Sequence, residues 1–480
     1  MWRKADRDLF VSFFFIAFFV ITIALFYILP GKWRAAFLYL VSCIFCAYMD
    51  VRSFIILLVT TIYCYVAGKL LEKRSNGNVF GILVGLCVIA IVVFKFTGYL
   101  SAKLGLSLPE SILTNLIMPV GLSFYMFQVI SYLVDIHQKK ISAEHNFCKL
   151  GLWMSYFPKL VSGPIEREND FIPQLENIKR VTFWNTGRIS VSLSYILWGA
   201  FLKMVMADRM MLMASPIFDG PENYDSLFLL CGAVLYTFQI YCDFAGYSYM
   251  AVGISEFFGI HLTMNFKEPY MSSSMTEFWR KWHISLSTWL KDYLYIPLGG
   301  NKKGIFRKII NNMVVFLVCG MWHGAGLNYL MWGFIHGAYT GFEALVCWYQ
   351  KKKAITFLRP IGVFFLSAFA WIFFRAGSGR AAMGYVIRML SFQLESEKWN
   401  IMFTNVFENE IEFWLILCGL VVVMGSDWIS TRRGLRFPAL LQWNSSGVRY
   451  AFFVVMILLI FVFGIYGAGY NSRHFIYMQF

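Results

Sequence analysis

Runs of about twenty consecutive apolar residues recur along this chain, and they constrain its fold more than anything else in it. A helix needs about 20 mostly apolar residues to cross a hydrocarbon core. Only a helix or a closed barrel satisfies its backbone hydrogen bonds there. Clear runs cover residues 9–29, 54–71, 80–100, 190–205, 227–252, 313–347 (long enough for two), 361–374, 411–424 and 450–466. Weaker ones cover 36–48, 116–133 and 150–161. Together they predict an all-α, polytopic integral membrane protein with about eleven to thirteen transmembrane or re-entrant helices. Composition agrees: only 14% of the 480 residues are charged, against roughly 25% in soluble proteins. Such a chain cannot wet a globular surface, and it is neither a disordered segment, a secreted disulfide scaffold nor a coiled coil.

Lys and Arg exceed Asp and Glu by 42 − 27, a net charge of +15. In a soluble protein this excess would suggest nucleic acid. Between apolar runs it reads as cytoplasmic loops and lipid headgroup contacts, because Lys and Arg are retained on the cytoplasmic side. Membrane lipid is the expected partner and nucleic acid is not. Basic clusters separate the runs, among them Lys69/Lys73/Arg74, Lys302/Lys303/Arg307/Lys308 and Lys351/Lys352/Lys353. Not all of them can be cytoplasmic if every run crosses once, so some runs re-enter or lie in the interface. Residues 1–8 are mixed in charge and lead into a run too long for a signal-peptide core, which therefore reads as a span that stays attached. Ten cysteines sit mostly in apolar runs, as Cys43, Cys46, Cys64, Cys87, Cys231, Cys319 and Cys418 do, and read as small buried hydrophobes. No polar domain, long linker or internal repeat is visible. Residues 1–480 read as one membrane domain, with a core at about 115–345 between scaffold helices at 1–114 and 346–480.

The middle third differs from a lipid-facing bundle, because polar side chains at membrane depth are costly. One block contains Pro119-Val-Gly-Leu-Ser-Phe124, Gln128, Ser131, Tyr132 and Asp135. A second spans residues 156–167, and a third holds Gln239, Tyr241, Asp243, Tyr247 and Ser248. Each alone suits helix–helix hydrogen bonding. Three in succession predict a polar cavity within the membrane.

The fourth block, residues 278–301, is denser. Ser274 and Glu277 fit a capping box, and Pro297, Gly299 and Gly300 end the helix. At 3.6 residues per turn, Trp279, Trp282, Leu286, Trp289, Leu290 and Tyr293 share one side, with Lys281, Thr288 and Asp292 opposite. That pattern predicts an amphipathic helix lying at the interface. His283, beside Arg280 and one turn from Trp279 and Ser287, sits where Leu would cost less. In the fifth block, His323 follows Trp322 inside a long apolar run, flanked by Gly320, Gly324 and Gly326. A His at membrane depth with small neighbours is a functional candidate, and its ordinary pKa suits proton transfer at neutral pH. His336 reads as a hydrogen-bonded core residue.

There is no Gly-x-Ser-x-Gly elbow, no phosphate loop and no spacing for a metal site, so no metal and no bound cofactor are expected. What remains suits direct acyl transfer with a His base, or a proton-coupled transporter, and the residues do not separate the two.

At His283 and His323 the sequence resembles the membrane-bound O-acyltransferase (MBOAT) family, most closely its bacterial alginate O-acetyltransferase branch. The resemblance is carried by residues 118–128, 131–135, 157–165, 241–248 and 278–301, by Met321-Trp-His-Gly324, by Trp371-Ile-Phe-Phe-Arg375 and by the ending 475–480. It implies a multi-helix disc, thinned at its centre, with a tunnel joining the two faces. His323 matches the family's catalytic His and His283 its second functional polar position. Trp279, Arg280, Ser287, Asp292, Trp322, Asp243 and Gln128 are expected to contact substrate. The branch implies acetyl taken from a cytoplasmic thioester, acetyl-CoA as co-substrate, for hydroxyls of an exported cell-surface polysaccharide. It also implies an extracytoplasmic partner acetyltransferase of the SGNH type and a place in the bacterial cytoplasmic membrane. Where the branch often has an Asp, this chain has Tyr249, so no role is carried over there. The alternatives are D-alanyl transfer to teichoic acid from a carrier-protein thioester, and a polysaccharide or solute transporter without chemistry.

Overall fold

A computed structural model gives the three-dimensional structure. It describes residues 10, 12–74, 76–105, 109, 118–350 and 359–466. Residues 1–8, the Lys351/Lys352/Lys353 cluster, the ending 475–480 and part of the 116–133 run lie outside them. Among the described residues there is helix and no strand. Seven helices among the described residues are long and apolar enough to cross a membrane: Val51–Lys73, Gly77–Ser101, Thr186–Asp219, Ser226–Phe257, Gly304–His323, Glu410–Arg433 and Ser446–Phe463. Phe13–Ile28 is apolar but shorter.

The chain divides into two compact units. The first takes the chain up to residue 196 together with 248–264, and the second takes 197–247 and 265 onward. In the first unit, Arg34–Met49 and Val51–Lys73 are separated by Asp50, whose carboxylate accepts from the Ser53 N–H at 2.9 Å and caps the second helix. The helix Gly77–Leu104 presents Ile82, Leu86, Val88 and Ile89 outward, which suits a surface solvated by lipid tails. The run at 150–161 does not form a span. It becomes the helix Phe147–Ser155 and a turn. Nine residues at 1.5 Å each reach about 14 Å, half the hydrocarbon thickness.

The polar blocks at 119–135 and 156–167 meet each other in this unit. The Glu166 carbonyl accepts from Gln128 Nε2 at 3.3 Å and from Trp153 Nε1 at 3.2 Å. The Glu166 carboxylate accepts from the Thr263 N–H at 2.6 Å and the Thr263 hydroxyl at 3.1 Å. Burial pushes this carboxyl above its ordinary range, against the pull of Thr263 and of the Lys159 charge. Gln128 and Thr263 thus both bind Glu166.

In the second unit, the run at 313–347 resolves into two helices, Gly304–His323 and Leu327–Gln350, joined by Gly324–Gly326. Their backbones touch. A Cβ on Gly320 would lie 2.4 Å from the Tyr329 carbonyl oxygen, and one on Gly333 would lie 2.3 Å from that of Phe316. Small residues at such seams are how helices approach closely in lipid, where dispersion replaces the hydrophobic effect.

The expected amphipathic helix at 278–301 is broken. Met275–Lys281 ends, Trp282 and His283 leave helical geometry, and Ile284–Leu290 begins a new helix that passes into a π-turn, Lys291–Tyr295. The capping at Ser274 is as expected, its hydroxyl accepting from the Glu277 N–H at 3.0 Å. The aromatic side does not face an interface. Trp279, Trp282, Leu286, Trp289 and Leu290 are all buried in protein, because Trp282 packs against Phe266, Phe278 and Trp371. Of the cysteines named above, Cys46, Cys64, Cys87 and Cys319 are buried, Cys43 and Cys231 partly so, and Cys418 is exposed on Glu410–Arg433.

Gly320→Ala should lower the thermal midpoint of the detergent-solubilised protein, at a cost of about 1–3 kcal/mol for overpacking. Gly384→Ala, where a Cβ meets nothing within 4 Å, should leave the midpoint unchanged or raise it.

Candidate active site

The second unit gathers both histidines around one indole. Trp322 lies edge-on to His323 at 4.8 Å between ring centroids and to His283 at 6.3 Å. His283 is 1% exposed and His323 3%. His323 is the last residue of Gly304–His323, and its ring is walled by Trp332 at 5.1 Å and Phe374 at 5.0 Å, both edge-to-face. Phe244 stands perpendicular to His283 at 4.7 Å. Such edge-to-face contacts fix a ring's plane without occupying its nitrogens. Burial pulls the His283 imidazole down to about 3, so it is neutral at neutral pH and can accept one hydrogen bond while donating another.

His336 is fully buried in the same aromatic cluster. Its Nδ1 accepts from Trp279 Nε1 at 3.2 Å, which places the His336 proton on Nε2. This agrees with the core role read from the sequence, and it gives Trp279 a structural partner.

The remaining sequence candidates scatter. Arg280 is exposed and lines a polar cavity of about 360 Å³ with Ser274, Thr276, Glu277, Lys308 and Glu343. The Ser287 hydroxyl donates to the Trp282 carbonyl at 3.1 Å, and Asp292 lies 3.6 Å from Lys291. Gln128 belongs to the first unit. Asp243 is held in a buried ion cluster, with Lys203 Nζ 2.7 Å from both Asp243 Oδ1 and Asp208 Oδ1. Lys203 lies on a π-helical stretch, Phe201–Ala207. A further buried carboxylate, Asp427, accepts from the Tyr241 hydroxyl at 3.0 Å. The third polar block is therefore engaged within the protein at Tyr241 and Asp243.

Sequence reasoning missed Lys203 and Asp208, although a lone Lys inside an apolar run was a usable signal. It also missed Trp332 and Phe374, for which aromatic content offered no cue in a chain with 49 Phe and 16 Trp. Removing one member of a buried ion cluster strands the others, at about 3–5 kcal/mol. Lys203→Met should therefore sharply reduce the monodisperse fraction on size exclusion, and Asp208→Asn should do so less.

The profile of the membrane-bound O-acyltransferase family matches residues 137–379. The chain is 33% identical over 393 residues to the probable alginate O-acetylase AlgI of Pseudomonas syringae, covering 79% of this chain and 74% of that protein. It is 31% identical over 389 residues to the peptidoglycan O-acetyltransferase of Helicobacter pylori, covering 74% and 72%. Against the teichoic acid D-alanyltransferase of Streptococcus thermophilus it is 28% identical over 306 residues, covering 61% and 70%. By this match, its similarity to these relatives and its apolar helices, the chain belongs to the membrane-bound O-acyltransferase family and is a multi-pass membrane acyltransferase.

Proposed function

We propose that the protein is an O-acetyltransferase of a bacterial cytoplasmic membrane. It takes acetyl from a cytoplasmic thioester, acetyl-CoA, for hydroxyls of an exported cell-surface polysaccharide. One observation carries the reading: His283 and His323, chosen from the sequence as the two chemical residues, flank the same indole inside a buried aromatic shell. Acetyl is favoured over D-alanyl because the similarity to O-acetylases is higher and covers more of the chain.

In this mechanism His323 takes the proton of the acceptor hydroxyl, or of a serine on an SGNH-type partner acetyltransferase. The oxygen attacks the thioester carbonyl, the carbon–sulfur bond breaks, and the thiolate leaves with the proton returned by His323. His283, neutral, donates to the carbonyl oxygen as negative charge develops on it. Trp322, Trp332 and Phe374 keep water from competing with the acceptor. Side chains and positioning suffice for a thioester, whose cleavage is favourable.

The purified protein, reconstituted in vesicles with labelled acetyl-CoA and a soluble polysaccharide, should place label covalently on the acceptor. His323→Ala at normal abundance should lower that rate about 10²–10⁴-fold, the usual worth of a positioned base. Transfer at the wild-type rate would refute the assignment, and label crossing the membrane without covalent transfer would refute acetylation.

A further inference from the structure

His283 occupies a conformation uncommon outside glycine. Its φ of +43° and ψ of +56° are left-handed, where a Cβ crowds the backbone and a side chain is held at some cost, although His tolerates it better than most. Strain of this kind persists only where the surroundings over-determine it. The position is also the N-cap of Ile284–Leu290, yet the imidazole takes no part in capping. The first N–H groups of a helix must nonetheless find acceptors, most of all where the helix start is buried, as at Ser285.

Another segment of the same unit supplies them. The Asn265 carbonyl accepts from the Ile284 N–H at 2.9 Å. Asn265 Oδ1 accepts from the Ser285 N–H at 3.2 Å and from the Ser285 hydroxyl at 2.7 Å. Two residues on, the Lys267 N–H donates to the Lys281 carbonyl at 3.0 Å, which ties down the end of the preceding helix. Between them the Phe266 ring lies 5.0 Å from Trp282 and 5.0 Å from Phe244, the ring that faces His283. Residues 265–267 thus bracket the break from both sides. Asn265 is fully buried, and its Nδ2 meets no hydrogen-bond acceptor among the described residues. An amide is retained at this spot although half of it goes unsatisfied, so its acceptor half is what the site uses.

We propose that Asn265 is a positioning residue for acyl transfer: it caps Ile284–Leu290 from across the fold, and so holds His283 in the left-handed turn that aims its ring at Trp322. The inference rests on the reading of His283 as a functional group. Asn265 touches no substrate in this account. It acts through the backbone of 284 and 285.

A double-mutant cycle in reconstituted vesicles tests it. Asn265→Ala should lower kcat about 10–100-fold, the scale of a misplaced group, with KM for acetyl-CoA changed less than about threefold. In a His283→Ala background the same substitution should change kcat less than about threefold, because residues that act as a unit are not additive. Asn265→Asp, which keeps the acceptor, should restore kcat to within about threefold of wild type. Where Asn265→Ala yields no folded protein by size exclusion, Ser285→Ala, which deletes the 2.7 Å bond, carries the same cycle. Equal losses in both backgrounds would overturn the proposal, since a general packing role predicts them. If His283→Ala itself keeps wild-type kcat, the functional reading of His283 fails and the positioning role falls with it. If His283→Ala loses turnover and no coupling appears, only the positioning role falls.

Discussion

Away from water, each backbone N–H must find an acceptor or cost several kcal/mol. That constraint shapes the second unit around a single interruption. An unbroken helix through 275–295 would satisfy every group locally, but it would leave His283 on a helix flank. Breaking it turns His283 out of the helix and creates two helix ends that need partners. The chain meets the need with residues 265–267: the Asn265 carbonyl and side chain accept at one new end, and the Lys267 N–H donates at the other. The aromatic contacts of Phe266 and Trp282 follow from that pairing, and so does the placement of Phe244 against His283.

Buried polarity in this protein mostly serves the fold. Gln128 and Glu166 lock a turn in the first unit, and Asp243 is bound to Lys203 in the second. A polar side chain at membrane depth is expensive whether it binds substrate or a neighbour, so cost alone does not mark function. His283 and His323 are set instead among aromatic rings. That setting fixes the plane of each ring.

Span positions were legible in the sequence because apolar length maps directly onto helix length. Of the clear runs, 54–71, 80–100, 227–252, 361–374 and 411–424 fall inside single helices. The two histidines were legible because each sits where an apolar residue would be cheaper. The break at His283 was not, since the spacing of Trp279, Trp282, Leu286 and Trp289 fits a continuous helix. What opposes it is a distant Asn, and no local pattern encodes a cap supplied from twenty residues away. Residues 150–161 misled for a related reason: hydropathy reports burial, and the inside of a protein is as apolar as lipid.

The seam between Gly320 and Gly333 has a mechanical consequence. Two backbones in direct contact have no side chains between them to reorient, so the joint assembles with little loss of rotamer entropy. It also has no slack. A joint padded with leucines can creep as their rotamers exchange, whereas this hairpin moves as one body or not at all. His323 stands at the tip of one arm, one turn beyond Gly320. Its position is therefore set by main-chain steric contact, the stiffest non-covalent restraint a protein has.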